Sequence, residues 1–318
     1  MGTDVASSDN DRDSEIESGK GEQPARFGLY GDLPTRILLA AMRVLPQALD
    51  PIFIYPASLA VWALAGSQRR AIARNLARIP DRIGSRGLLI DTHKVFLQFA
   101  WAYAEGLRTK LGQAELDWEE HAPFPLDELP SGCVLLTAHT ANYDIAASAF
   151  ADRFDRVIHV VRAAERNQSL DELRREMLAS GASERLKIHY NDHTMHLGVE
   201  LARALERGEV VAVQADRIVD GVSATEADFP GGGRIELPRG PVALIGIAPG
   251  GGLPLFVIRC GRRRYRVLVG EPLKRRDTDG QRVSLVDAWV VVLHEFLREH
   301  WSQWFVFEDA FIDEKDEI

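Results

Sequence analysis

The chain has 318 residues, 46% hydrophobic and 27% charged, an ordinary globular composition with length for one large domain or two small ones. Its net charge of −9 sits at its ends: residues 1–27 carry −4 and residues 308–318 carry −5, while 28–307 balance at 34 acidic against 34 basic residues. A balanced core sets up no field favouring nucleic acid, and an acidic, apolar-poor start is the opposite of a secretory signal.

Residues 1–27 are rich in Ser, Asp, Glu and Gly and are expected to form a disordered acidic tail. Residues 37–65 are the most apolar stretch, but Arg43, Asp50, Pro46, Pro51 and Pro56 divide it. No uninterrupted run reaches the ~20 residues of a spanning helix. The pattern predicts two short helices joined at a proline-marked turn. Such a hairpin either packs inside the protein or leans into a bilayer surface, where Tyr55 and Trp62 suit the interface. Ser67 to Arg78 reads as a basic helix capped by Ser67, and an apolar-periodic helix is expected around 86–111.

After residue 130 the pattern alternates. Apolar β-like runs lie at 133–138, 156–161, 186–190, 210–214, 253–260 and 264–269. Helical segments are expected at 142–151, 166–180, 195–207 and 240–248, with a closing helix at 282–300. This order predicts an α/β fold: a mainly parallel central sheet covered by helices, preceded by the N-terminal apolar helical hairpin. The last two runs read as an antiparallel hairpin. Cys133 and Cys260 each adjoin an apolar run and are expected as buried thiols in a reducing compartment.

Five motifs carry candidate chemistry. In Val134-Leu-Leu-Thr-Ala-His139-Thr-Ala-Asn142-Tyr-Asp144, an apolar run delivers a histidine to a sheet edge and a carboxylate comes five residues on. Asp144 curling back to one ring nitrogen fixes the imidazole tautomer and leaves the other nitrogen as a general base. The bland alternative is a satisfied histidine near a helix cap. His189-Tyr-Asn-Asp192-His193-Thr-Met-His196 offers metal-ligand residue types, but it straddles a strand and a helix, and solvated loop histidines explain it as well. Val210-Val-Ala-Val-Gln-Ala-Asp216-Arg217 again ends a strand in polar residues, where open α/β sheets bind ligands; the two residues also suit a plain ion pair. Gly231-Gly-Gly-Arg-Ile-Glu-Leu-Pro-Arg239-Gly240-Pro241 is either an anion site at a helix start or a glycine-rich turn. Arg259, Arg262, Arg263, Arg264, Arg266, Lys274, Arg275 and Arg276 form either a phosphate-attracting surface or a solvated hairpin face. No Gly-x-Ser-x-Gly elbow occurs, which argues against an α/β-hydrolase.

In their order, these pieces resemble the lysophospholipid acyltransferase superfamily, in particular the bacterial lipid A late (lauroyl/myristoyl) acyltransferase branch. The resemblance spans roughly residues 30–307 and rests on several matches. His139 and Asp144 fit a His-four-residues-Asp signature, joined by the Arg69-Arg70…Asn75-Leu76 element, Asp216-Arg217, Leu237-Pro-Arg239-Gly240-Pro241 and Gln303-Trp304-Phe305. Where that branch usually has Asn before its histidine, this chain has Ala138. The resemblance implies an O-acyltransferase that moves a fatty acyl group from an acyl carrier protein or CoA thioester to a hydroxyl of a membrane lipid or glycolipid. His139 and Asp144 would be catalytic, Asn142 would steady the oxyanion, and Asp216, Arg217, Arg239 and Gly240 would hold substrate phosphate. No metal and no cofactor beyond the thioester co-substrate are expected, nor is nucleic acid a partner. The implied place is peripheral, on the cytoplasmic face of the inner membrane. The organisation is then an acidic tail at 1–27, a membrane-associating helical region at 28–112, an α/β core at 113–307 and an acidic tail at 308–318. Two rivals are a non-catalytic lipid- or acyl-carrier-binding protein and a metal-dependent hydrolase built on 189–196.

Overall fold

The computed structural model describes residues 40, 42–163, 183–191, 195–219, 221–273 and 284–312. Ten strands occur in these residues: β1 (Asp117–His121), β2 (Val134–Thr137), β3 (Ile158–Ala163), β4 (Leu186–Asn191), β5 (Val210–Gln214), β6 (Ala224–Asp228), β7 (Arg234–Pro238), β8 (Gly252–Gly261), β9 (Arg264–Val269) and β10 (Phe311–Ile312). The α-helices are α1 (Asp50–Leu64), α2 (Gly66–Ala77), α3 (Leu88–Lys110), α4 (Tyr143–Arg153), α5 (Met195–Glu206), α6 (Arg239–Ile247) and α7 (Leu285–His300).

The central sheet has seven strands in the order β1-β9-β8-β2-β5-β3-β4. From β8 to β4 every neighbouring pair is parallel. β9 returns antiparallel on β8, as the hairpin pattern predicts, and β1 adds to that edge parallel to β9. The fold is therefore α/β with a mostly parallel sheet. β2 is buried at all four positions because helices cover both faces, and for the same reason it reads as an unbroken apolar run. On one face Leu136, Val211 and Val213 pack against Leu205 of α5 and Trp289 and Leu293 of α7; on the other, Leu135, Val160 and Leu253 pack against Phe150 of α4.

The strands and helices expected after residue 130 appear with ends shifted by a few residues, except that the helix expected at 166–180 lies outside the described residues. β1, β6, β7 and β10 are additions. Their sequences, such as Asp-Trp-Glu-Glu-His and Ala-Thr-Glu-Ala-Asp, are too polar or too short to announce strands. The last three form a second sheet, ordered β10-β7-β6. The glycine triplet is the turn between β6 and β7. Gly232 and Gly233 adopt φ of +97° and +85°, and a Cβ on Gly231 would lie 1.8 Å from the Arg78 carbonyl oxygen, so the triplet serves a tight turn and a close approach to the end of α2. Cys133 is buried, and its thiol is pushed up to about 12 by that burial; Cys260, expected inside, is exposed.

In the first arm of the expected 37–65 hairpin, residues 37–39 and 41 lie outside the described residues, while 40 and 42–44 are helical. The second arm is α1, which tolerates Pro51 in its first turn and continues through Pro56. The pair α1–α2 bends by 90° at the single residue between them. Ser67 is not the cap of α2: Ala65 occupies that position, and the Ser67 hydroxyl donates to Gln68. α1 lies on α3 through the Tyr55 and Trp101 rings, a Trp62–Thr92 hydrogen bond and a part-buried Arg108–Asp50 ion pair of 2.6 Å. Its outer surface is apolar too, with Ile52, Phe53, Leu59 and Leu64 exposed, and Leu88, Leu89 and Ile90 are exposed at the start of α3. Among the described residues no single helix is long and apolar enough to cross a membrane.

The described part of the region 28–112 does not stand apart from the core. Asn75 of α2, 2% exposed, donates from its amide to the carbonyls of Val306 and Glu308 and accepts from the Ala310 N–H. Arg74 pairs with Asp309, and β10 then pairs with β7. The expected tail at 308–318 is thus docked as far as Ile312. That docking brings the C-terminal segment beside the carboxyl ends of β2 and β5.

Candidate functional site

Parallel register builds the site. Thr137 of β2 faces Gln214 of β5, and the Ala215 N–H donates to the Thr137 carbonyl at 2.9 Å, so the ladder runs one step past both strands. The next residues outward are His139 and Asp216. The His139 backbone N–H donates to Asp216 Oδ2 at 2.9 Å, and His139 Nδ1 lies 2.7 Å from Asp216 Oδ1. The Trp304 indole N–H donates to the same carboxylate at 2.8 Å. Trp289 secures the strand end by donating to the Ala215 carbonyl, and the Phe305 N–H donates to the His139 carbonyl.

Asp216 is wholly buried. Burial alone pushes its carboxyl up, but the charge of His139, the two hydrogen bonds from His139 and the one from Trp304 outweigh it and hold the group below its ordinary value of 3.8. A carboxylate held ionised against Nδ1 keeps the proton on Nδ1 and leaves the Nε2 lone pair as the basic atom.

This geometry bears on two expectations. The carboxylate on His139 Nδ1 is Asp216; the side chain of Asp144, the carboxylate expected on the ring, sits in the first turn of α4 and lies outside the described residues. Asp216 in turn cannot hold phosphate, because it is buried, anionic and already engaged by three donors. The reason is sheet order: β2 and β5 are neighbours, so residues 77 positions apart become adjacent.

Arg217 faces the other side of the imidazole. Its Nε–H donates to His139 Nε2 at 3.2 Å, and its Nη1 pairs with Glu308 at 2.6 Å. Arg239 and Gly240 are exposed at the start of α6, where the Arg239 guanidinium donates to the Ala224 carbonyl. Among the described residues no hydrogen bond joins them to His139 or Arg217.

Asn142 stands at the N-cap position of α4 without capping it. Rather than facing an oxyanion, its Nδ2 donates to the Tyr265 hydroxyl at 2.8 Å. That hydroxyl donates to Glu105 Oε2 at 2.6 Å, and Glu105, 4% exposed, also receives both Nε and Nη2 of Arg259 at 2.9 Å and the Arg263 N–H. Burial, then the charge and hydrogen bond of Glu105, drive the Tyr265 phenol far above its ordinary value, so it stays a donor. Gly106 lets this network close on the turn: a Cβ there would sit 2.7 Å from Asn142 Oδ1. None of Glu105, Tyr265 or Trp304 stands out in sequence as a site residue, although Trp304 lies in one of the matched blocks. Arg259 belongs to the basic cluster, which the structure disperses: Arg259 is paired with Glu105, Arg266 with Glu119, and Arg262 with the Gln47 carbonyl. Lys274, Arg275 and Arg276 lie outside the described residues.

Two hollows flank the site. An apolar slot of about 40 Å³ lies beneath α4, lined by Leu135, Thr137, Tyr143, Ala146, Phe150 and Leu255 among others. Tyr143 links it to the site, its ring 6.4 Å from the imidazole of His139. A polar cleft of about 240 Å³ opens between α2 and the C-terminal segment, at Arg74, Arg78, Asp309 and Phe311. The Thr140 hydroxyl and Gln214 Nε2, close to His139 and Asp216 in the chain, are buried with no partner among the described residues.

The histidine cluster at 189–196 takes a different form from the one its spacing suggests. His189 Nε2 meets His159 Nδ1 at 2.8 Å, and His159 Nε2 meets Glu209 at 2.8 Å, tying β3, β4 and the start of β5 together. His196 is exposed on α5, and Asp192 and His193 lie outside the described residues. Among the described residues no three His, Cys, Asp or Glu side chains are grouped to hold a metal. This tie is acid-sensitive. Burial holds His189 below its ordinary 6.5, so its contribution is complete above that value and declines as pH falls below it. Glu209, lowered from 4.5 chiefly by its bond from Arg207, loses its contribution further down. Thermal melts should therefore show Tm falling from pH 7.5 to 5.5, and His189→Gln, which donates the same bond without titrating, should flatten that slope. An unchanged slope in His189→Gln would rule out this tie as the origin.

No protein-family model matches the chain, and no curated protein matches it.

Proposed function

We infer that the protein is an O-acyltransferase that moves a fatty acyl group from an acyl carrier protein or CoA thioester to a hydroxyl of a membrane lipid or glycolipid. The observation that carries this reading is the His139–Asp216 pair at the carboxyl edge of the parallel sheet, where Nε2 meets a guanidinium instead of a serine or cysteine. A base with no bonded nucleophile suits direct attack. Nε2 takes the acceptor's hydroxyl proton as the oxygen attacks the thioester carbon. The tetrahedral intermediate collapses, the thiolate leaves, and the imidazolium returns the proton to it. Base assistance of this kind supplies roughly 10²–10⁴-fold, and positioning supplies much of the rest. N–H groups in the first turn of α4, four residues after His139, would serve as backbone donors for the oxyanion.

Two further features support the reading. The slot beneath α4 offers apolar walls beside Tyr143 for the start of an acyl chain. α1 is apolar on its exposed side as well as its packed side, and a helix apolar all round seeks protein or lipid cover. With Leu88, Leu89 and Ile90 it makes the face by which the protein would dock peripherally on the cytoplasmic side of the inner membrane. The test is incubation of the purified chain with acyl-CoA or acyl carrier protein thioester and a membrane lipid extract. A new acyl ester, matched by released thiol, is the expected outcome. Tight thioester or lipid binding without ester formation would favour the non-catalytic alternative.

A further inference from the structure

His139 Nε2 is not free to work as the structure stands. Once Nδ1–H is committed to Asp216, Nε2 is the only basic atom of the ring, and the Nε–H of Arg217 occupies it at 3.2 Å. A guanidinium stays protonated at any physiological pH, so this contact cannot relay a proton. It is a cap on the base. The cap has a post: Arg217 Nη1 is held at 2.6 Å by Glu308. The post is itself fixed, because the buried amide of Asn75 holds the Glu308 carbonyl, and Arg74 holds Asp309 beside it. The mobile piece is therefore the Arg217 side chain. Its present partners are a neutral nitrogen and one carboxylate that is 68% exposed. A phosphate presents more acceptor oxygens and more charge in one group, and matches the guanidinium fork better than that pair does.

We propose that Arg217 masks His139 until a phosphate group of a substrate draws it away from both Nε2 and Glu308. Occupancy by the anion then uncovers the base. The biological meaning rests on the acyl-transfer reading: a masked base spares the thioester from water while no acceptor is bound. The masking itself stands or falls on geometry and needs no turnover to test. Thus the device and the reaction can fail separately.

The experiment is carbethoxylation of His139 by diethyl pyrocarbonate, which attacks an available imidazole lone pair, tracked in the intact chain by mass spectrometry of the His139 peptide. Arg217→Ala should accelerate modification about tenfold, the scale of losing one charge-assisted hydrogen bond. Glu308→Gln changes only an exposed side chain and should accelerate it severalfold by loosening the post. Inorganic phosphate should accelerate modification of the wild-type chain and leave Arg217→Ala unaffected. Coenzyme A and phosphatidylglycerol vesicles then separate the sources: acceleration by the first assigns the phosphate to the donor, by the second to the lipid. Equal rates in wild type, Arg217→Ala and Glu308→Gln, or no response of the wild type to any of the three phosphate probes, would overturn the proposal.

Discussion

Asp216→Asn should lower acyl-transfer turnover by roughly 10²–10⁴-fold with little change in KM. The substitution preserves shape, and the amide oxygen can still accept from the His139 backbone and from Trp304. Its NH2, however, now faces Nδ1 and requires a lone pair there, so the ring proton moves to Nε2 and the base is lost. Steady-state kinetics check the prediction, and a thermal melt separates lost chemistry from lost fold. Asp144→Asn, run beside it, decides between the two carboxylates: retention of most activity in Asp144→Asn with loss in Asp216→Asn agrees with the hydrogen bonding, and the reverse order would contradict it. The Asp216 carboxylate also contributes stability while ionised. Its value is depressed, so that contribution is complete above 3.8 and disappears only as pH falls through the still lower folded-state value.

Glu105→Ala should be the most damaging single change to stability outside the core hydrophobics. It strands Arg259, whose side chain is 11% exposed, and leaves the Tyr265 hydroxyl and the Arg263 N–H without their acceptor. Removing one member of a buried pair costs about 3–5 kcal/mol, which lowers Tm on the order of 10 °C in a chain of this size. Glu119→Ala serves as the comparison, because its pair with Arg266 is about half exposed and such pairs contribute about 0–1 kcal/mol. Differential scanning calorimetry of the two variants gives the result directly, and equal Tm losses would remove the distinction drawn between them. Glu105→Gln keeps an acceptor for Tyr265 and should retain more stability. It should also retain more turnover than Glu105→Ala, because the Tyr265–Asn142 bond that fixes the turn after His139 depends on that acceptor.

The parallel strands are legible in the sequence because a strand buried on both faces must be apolar throughout, as in Val210-Val-Ala-Val. His139 is legible for a related reason: a polar residue directly after such a run stands at the sheet edge. Its partner is not. Local spacing points to Asp144, and only the adjacency of β2 and β5 brings Asp216 to the ring, an ordering that periodicity does not encode. The second sheet is hidden by polar composition, and the docking of 306–312 by the fact that Asn75 looks like any helical asparagine until its buried amide is seen to bond three backbone groups. Asn142 shows the opposite error. Its position suggests a donor for an oxyanion, but a buried phenol behind it claims the amide.

The most direct test of acyl transfer by the His139–Asp216 pair compares the purified chain with His139→Ala, measured as acyl ester formed from a thioester donor and a membrane lipid extract. Because His139→Ala leaves the buried Asp216 carboxylate without its ring partner, Tm should fall, and the two chains are compared at a temperature well below the variant's melting point, where it is folded. The predicted result is transfer by the wild type and its loss, by at least roughly 10²-fold, in His139→Ala. Undiminished transfer by a folded His139→Ala, or no transfer by the wild type with either thioester donor, would contradict it.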